Sequence, residues 1–271
     1  MKKISLDSKI KLCGFLFAFP FFLFYLVPMV MTMGYSVVEN SFSLQFAGLK
    51  HYADVWANEY FRLGLQNTFL ISFVAVGCTL VLLLIACYFS MNLPTAAMKA
   101  LFLLCIPFFT PSASMAAVWR SLFGTTLFSP DSLLRFSLVC MFIWKYLGVC
   151  ILVLSFGMTQ VPTDCLEAAS LDGAGRLQTY VSVVLPMCRG TIALLFVLLL
   201  TYALRLYRED YLLYGEYPTD GVYLLQHYLT NHFRKLHYPA VAAGSVLFAG
   251  LCSIPLACIW LLGRRKERVA E

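Results

Sequence analysis

Apolar positions run along this chain in long stretches that are uncharged except for Lys145 in the fourth and Arg189 and Arg205 near the ends of the fifth. A helix crosses about 30 Å of hydrocarbon with roughly 20 apolar residues. Stretches of that order recur at residues 12–35, 67–90, 100–119, 136–158, 187–206 and 239–262. The pattern predicts an all-α membrane protein with six transmembrane helices. Composition agrees: 61% of the residues are hydrophobic and 13% charged, against roughly 45–50% and about 25% in soluble domains. That excludes a disordered chain, a fibrous chain and a nucleic-acid-binding domain. The first stretch has the basic start and apolar centre of a secretory signal. Its length, and the lack of a following A-x-A site, make it an uncleaved span.

The net charge of +6 acquires meaning from its placement. Lys2, Lys3, Lys9 and Lys11 precede the first span, and Arg264, Arg265, Lys266 and Arg268 follow the last. Basic residues beside span ends stay in the cytoplasm, so both termini are expected there, which an even number of spans satisfies. The expected organisation is a cytoplasmic N-terminus at 1–11, a permeation domain at 12–262 with a cytoplasmic loop at 159–186, and a basic cytoplasmic C-terminus at 263–271. The connection after Leu206 runs against the charge trend, with Arg208, Arg234 and Lys235, but also holds Glu209, Asp210, Glu216 and Asp220. The pair Glu209 and Asp210 is expected to be solvated. Ten cysteines form no CxxC pair, and none falls in a segment placed outside the cell, so they are expected to be thiols rather than a disulfide framework. Pro20, Pro28, Pro107, Pro111 and Pro255 lie within spans; each removes a backbone donor and bends its helix, either as ordinary shaping or as a hinge.

The loop at 159–186 is too polar for a span and too patterned for a linker. Pro162 and Thr163 start a helix, small residues Ala168, Ala169 and Ser170 follow, and Asp172-Gly173 signals a turn. Leu177, Tyr180, Val181 and Val184 then recur at i, i+3, i+4 and i+7, the spacing of one apolar helical face. Pro186 marks entry to the fifth span. Gly173 permits a backbone conformation that side chains resist, and Glu167 offers an exposed charge. A short helix joined through a tight turn to a span is suited to transmitting a push.

Glu167-Ala168-Ala169, Asp172-Gly173-Ala174 and Leu185-Pro186 together resemble the EAA loop of binding-protein-dependent ABC importer permeases. The spacing fits throughout, and the loop lies between the fourth and fifth predicted spans, as in that family. Many relatives have a second proline four residues after the first, where this chain has Gly190. The resemblance implies a type I ABC importer permease fold. It implies that these eight residues couple to a cytoplasmic ABC ATPase dimer whose ATP-driven closure switches the spans between inward- and outward-facing states. It further implies a second permease subunit in a heterodimer, an extracellular solute-binding protein, and residence in a bacterial cytoplasmic membrane. No cofactor is expected on this chain. It contains no Gly-Lys dipeptide, hence no phosphate-cradling loop, so ATP is used by the partner and the chain is not an enzyme.

Further segments resemble the carbohydrate branch of that family, the maltose-type and glycerol-phosphate-type permeases. These are Phe19-Pro20 through Pro28 and Tyr35-Ser36; Phe46, Gly48-Leu49, His51-Tyr52 and Asn67-Thr68; Trp144-Lys145; and residues 213–218 with Tyr228, Phe233 and 240–245. Gly215-Glu216-Tyr217-Pro218 stands where the branch has a glycine run, and the connection after Arg120 is shorter than usual. The branch implies import of a sugar or oligosaccharide, with a non-sugar solute as the alternative. Trp119, Arg120, Trp144, Lys145 and Tyr202 are candidates for the substrate path. Lys145 either faces an interior cavity or, if the fourth span is shifted to 141–160, reaches the outer interface beside Trp144. Trp119 and Arg120 are either interfacial anchors or sugar contacts. His227, His232 and His237 are spaced five apart, which leaves one helix face and does not suit a metal pair. The stretch 223–233 is expected to form an outer amphipathic helix. A self-sufficient secondary transporter would need intramembrane ionisable groups, and only Lys145 qualifies. A membrane enzyme would need an acid–base or metal cluster, which the sequence does not offer.

Overall fold

The computed structural model describes residues 6–40, 45–91, 101–123 and 131–270. The described chain is helical, with one isolated antiparallel bridge between Val38 and Phe46. In chain order the helices are α1 (Leu6–Tyr35), α2 (Lys50–Ala57), α3 (Glu59–Ser90), a 3-10 turn (Leu101–Cys105) leading into α4 (Ile106–Phe109), α5 (Ser112–Phe123), α6 (Asp131–Met158), α7 (Thr163–Leu171), α8 (Arg176–Thr179), a π turn (Tyr180–Val184), α9 (Leu185–Met187), α10 (Arg189–Ala203), α11 (Tyr207–Tyr214), α12 (Leu225–Arg234) and α13 (Tyr238–Ala270). Lys2 and Lys3 lie outside the described residues, as do the side chains of the other terminal lysines and arginines and of Cys13 and Cys258.

Among the described residues, four stretches are long and apolar enough to cross a bilayer: Ala18–Tyr35, Glu59–Ser90, Leu133–Met158 and Arg189–Tyr214. A fifth arises if Phe102–Phe109 and Ser112–Leu122 are counted together, although they are bent by 106°. Tyr238–Ile254 is a shorter apolar stretch. The third predicted span is therefore not one straight helix. Pro111 has no N–H and pushes its predecessor out of the helical region. Thr110 accordingly adopts φ −76°, ψ 132°, and α4 ends there. The break sets the first turn of α5 in the protein interior, where Ser112 is buried.

The chain divides into two compact units. One comprises residues 1–62 and 228–271. Within it, Asn58 caps α3 by accepting from the backbone N–H groups of Tyr60 and Phe61 at 3.0 and 3.2 Å, the usual role of Asn before a first turn. Phe61 is fully buried and meets Tyr228 edge-on at 5.3 Å. Gly244 of α13 lies so close to Leu229 and Phe61 that a Cβ there would come within 3.0 and 3.3 Å of their side chains. Along α1, by contrast, large apolar side chains from Phe15 to Met33 are exposed, as expected of a helix whose solvent is lipid.

The second unit, residues 63–227, holds the main core. Ile71, Leu83, Leu138, Phe142, Leu154, Leu195 and Leu199 are buried there. Gly148 of α6 packs against the backbone of the 3-10 turn: a Cβ at 148 would stand 1.9 Å from the Leu104 carbonyl oxygen. Only a residue without a side chain permits that approach.

Candidate functional site

Two features of the second unit carry candidate chemistry: a buried charge cluster and the loop at 159–186. Lys145 lies in the middle of α6, and its side chain is 11% exposed. Its Nζ donates to Glu209 Oε1 at 2.5 Å and to Ser112 Oγ at 3.1 Å. Ser112 Oγ in turn donates to Glu209 Oε1 at 2.8 Å. The triad thus draws on three elements: α5 starting at the proline break, the centre of α6, and the first turn of α11. Ser112 also opens α5, where the partial positive charge of a helix N-terminus favours the carboxylate. The expectation that Lys145 reaches the outer interface is corrected: it faces the protein interior, where a carboxylate pairs with it.

The expectation that Glu209 and Asp210 are solvated is also wrong. Glu209 is buried and Asp210 fully so. Both acids share the buried side of α11 with Leu213. Asp210 Oδ2 stands 3.7 Å from His227 Nδ1. That nitrogen accepts the Leu224 N–H at 3.1 Å, so the imidazole is neutral. Burial pushes His227 down to about 4. Among the described residues no group of three or more His, Cys, Asp or Glu could hold a metal.

The remaining path candidates scatter. Tyr202 stacks on Tyr146 at 4.8 Å, and Phe108 meets both rings edge-on. Trp119 and Trp144 meet edge-on at 5.9 Å. Arg120 donates to the carbonyls of Leu212 and Leu213 at 2.7 and 2.8 Å, closing the C-terminal end of α11. Residues 220–225 are tied down in a similar way by side chains outside the predicted path. Asn67 Nδ2 donates to the carbonyls of Asp220 and Tyr223, Thr68 Oγ1 accepts the Leu225 N–H, and Arg135 Nε donates to the Gly221 carbonyl. Asn67-Thr68 is visible in the sequence as a motif, but its partners lie more than 150 residues away.

The loop folds as α7, a turn, α8 and a π turn. Helix α7 buries no side chain; Glu167, Ala168, Asp172 and Gly173 are exposed, and Ala169 and Ala174 are half-buried. Gly173 has φ +77°. Its N–H bonds to the Ser170 carbonyl at 3.1 Å, and the Ala174 N–H bonds to the Ala169 carbonyl at 3.0 Å. This is the paired 5→2 and 6→1 closure of a Schellman cap, which needs a left-handed residue at the glycine position. The Asp-Gly-Ala motif is therefore a helix stop. Leu185 and Pro186 form α9, ahead of α10.

The second half of the loop departs from a single apolar face. The Leu185 N–H bonds to the Tyr180 carbonyl, an i→i+5 link. That wider turn brings Tyr180 and Val184 inward, both buried, and leaves Leu177 and Val181 outside, at 60% and 54% exposure.

Residues 81–265 match the family described as "Binding-protein-dependent transport system inner membrane component". The chain belongs to this family. It is the permease subunit of an ABC importer and not itself an enzyme. The permease is 28% identical over 306 aligned positions to the probable ABC transporter permease protein YesP of Bacillus subtilis, covering 98% of this chain and 97% of that one. It is 25% identical to the arabinooligosaccharides transport system permease protein AraP of the same organism, covering 94% and 90%. Its fold matches a chain of a bacterial ABC transporter involved in the import of the acidic polysaccharide alginate, with a TM-score of 0.79 at 18% identity and coverage of 96% and 98%.

Proposed function

We propose that this permease imports a sugar or oligosaccharide handed over by an extracellular solute-binding protein. In this reading it has six spans in the type I arrangement with both termini in the cytoplasm of a bacterium, and it works beside a second permease subunit and an ATPase dimer. Helix α7 is the coupling helix: Glu167, Ala168 and Ala169 meet the ATPase, Asp172, Gly173 and Ala174 hold the turn, and Leu185 and Pro186 carry the motion into α10. No cofactor binds this chain, and ATP is consumed by the partner.

The observation that carries the reading is the exposure of α7. A nine-residue helix with no buried side chain gains little stability from its own chain. It nevertheless ends in a built cap, and Leu171 beside that cap is 88% exposed. Such a helix is suited to seating on another protein, and the family supplies one in the ATPase. The sugar assignment is supported by the relatives: one is described as a permease for arabino-oligosaccharides, and the matched structure belongs to an importer of a polysaccharide.

Two measurements test this. Co-expression with its partner subunits should co-purify an ATPase with the wild-type permease, and Glu167→Lys should lose it while still inserting in the membrane. Full ATPase recovery and uptake by Glu167→Lys would defeat the coupling assignment. Proteoliposomes of the complex should accumulate neutral or acidic oligosaccharides. Uptake confined to amino acids or peptides would overturn the sugar assignment alone.

A further inference from the structure

Helix α3 ends at Ser90, and its last turn leaves carbonyls that have no partner within the helix. The Ser90 hydroxyl takes the Cys87 carbonyl at 2.8 Å. The next two are taken by a residue from the other side of the sequence: Arg176 Nη2 donates to the Tyr88 carbonyl at 2.9 Å and to the Phe89 carbonyl at 3.4 Å. The guanidinium also lies over the Tyr88 ring, 4.9 Å from its centroid. One turn further on, the buried Tyr180 hydroxyl donates to the Leu84 carbonyl at 2.8 Å, and its ring lies 5.5 Å from that of Tyr88. A cation at the negative end of a helix dipole, bonded to the terminal carbonyls and stacked on an aromatic ring, is held by three effects at once.

Arg176 stands only five residues beyond Leu171, the last residue of α7, across the Gly173 cap. A displacement of α7 reaches α6 and α10 through the covalent chain, because the loop joins them. It reaches α3 by no such route. Among the described residues, the hydrogen bonds from the loop to α3 come from Arg176 and Tyr180. We propose that Arg176, backed by Tyr180, is the positioning residue that engages α3 with the coupling helix, so that ATPase closure moves α3 together with α6 and α10. This rests on the assignment of α7 as the coupling helix. It adds that a third helix is driven through a non-covalent clamp within this chain.

The test uses the whole complex in proteoliposomes and reads two rates, ATP hydrolysis stimulated by the binding protein and solute uptake. Arg176→Ala should keep the co-purifying ATPase and its hydrolysis, while uptake per ATP hydrolysed falls about tenfold, within the usual range of coupling between sites. Arg176→Lys, which keeps the charge and a donor but not the planar fork, should recover part of that ratio. A purely structural cap would lower yield and thermal stability and leave the ratio alone. An unchanged ratio in Arg176→Ala overturns the proposal. Should that variant not assemble, Arg176→Gln is measured in its place: a fallen ratio supports the clamp and an unchanged one overturns it. Failure of the coupling-helix assignment looks different: Glu167→Lys would then keep both its ATPase and its full uptake.

Discussion

Replacing Lys145 by methionine removes the ammonium from the Ser112–Lys145–Glu209 triad and keeps most of the volume of the side chain. The carboxylate left behind is 7% exposed and retains only the Ser112 hydroxyl at 2.8 Å. Water cannot replace the lost partner at that exposure. Removing one member of a buried pair costs about 3–5 kcal/mol, because the surviving charge stays desolvated. An exposed pair is worth only about 0–1 kcal/mol, so the magnitude itself reports where Lys145 sits. At roughly 2–4 °C per kcal/mol for a chain of this size, the melting temperature of the detergent-purified permease should fall by about 10 °C. Lys145→Met combined with Glu209→Leu removes both charges and should recover most of the loss, since well-packed apolar pairs replace buried ion pairs at little cost. The assay is thermal unfolding of the two single variants and the double variant, read as a cycle. A Lys145→Met variant within about 0.5 kcal/mol of wild type, the range of ordinary surface substitutions, would refute the buried pair and restore the interfacial placement.

Gly173→Pro cannot adopt φ +77° and should abolish uptake while membrane insertion, followed by blotting, persists. Gly173→Ala has open space around its Cβ, so it carries only the left-handed strain of about 1–2 kcal/mol and should retain partial uptake. Gly148→Ala would drive a Cβ into the Leu104 backbone, so the 3-10 turn must move away; thermal unfolding should show a loss of about 1–3 kcal/mol, the usual cost of overpacking. Burial holds His227 neutral down to about pH 4, whereas an unfolded histidine takes up its proton near 6.5. Between those values the unfolded state's histidine binds more protons, so the contribution of His227 to stability should decline as pH falls from 6.5 to 4, by about 3 kcal/mol. His227→Gln should flatten that part of a stability-against-pH profile measured in detergent.

The local features of the loop at 159–186 were legible in the sequence because local forces make them. Pro162-Thr163 starts α7, and Asp172-Gly173 stops it through a cap whose hydrogen bonds all lie within six residues. The apolar face drawn through Leu177, Tyr180, Val181 and Val184 failed at the π turn. Periodicity assumes a constant turn, and one i→i+5 bond shifts the register. The 106° break of the third span was latent in Pro111, but a proline announces only a lost donor; how far the two halves swing is decided by what each half packs against.

Composition and hydropathy pattern were enough to place the chain in a bilayer, and local spacing was enough to mark the helix, turn and helix of the loop at 159–186; the family came from the resemblance of that loop to a known motif. The partners of the charged groups came only with the fold. Lys145 meets Glu209 across 64 positions, and Arg176 meets Tyr88 across 88. An acid in a connecting segment reads as solvated until the fold brings a lysine to it. In a medium that solvates no charge, each buried ion must find its complement inside the protein, and the packing of the helices alone says which one.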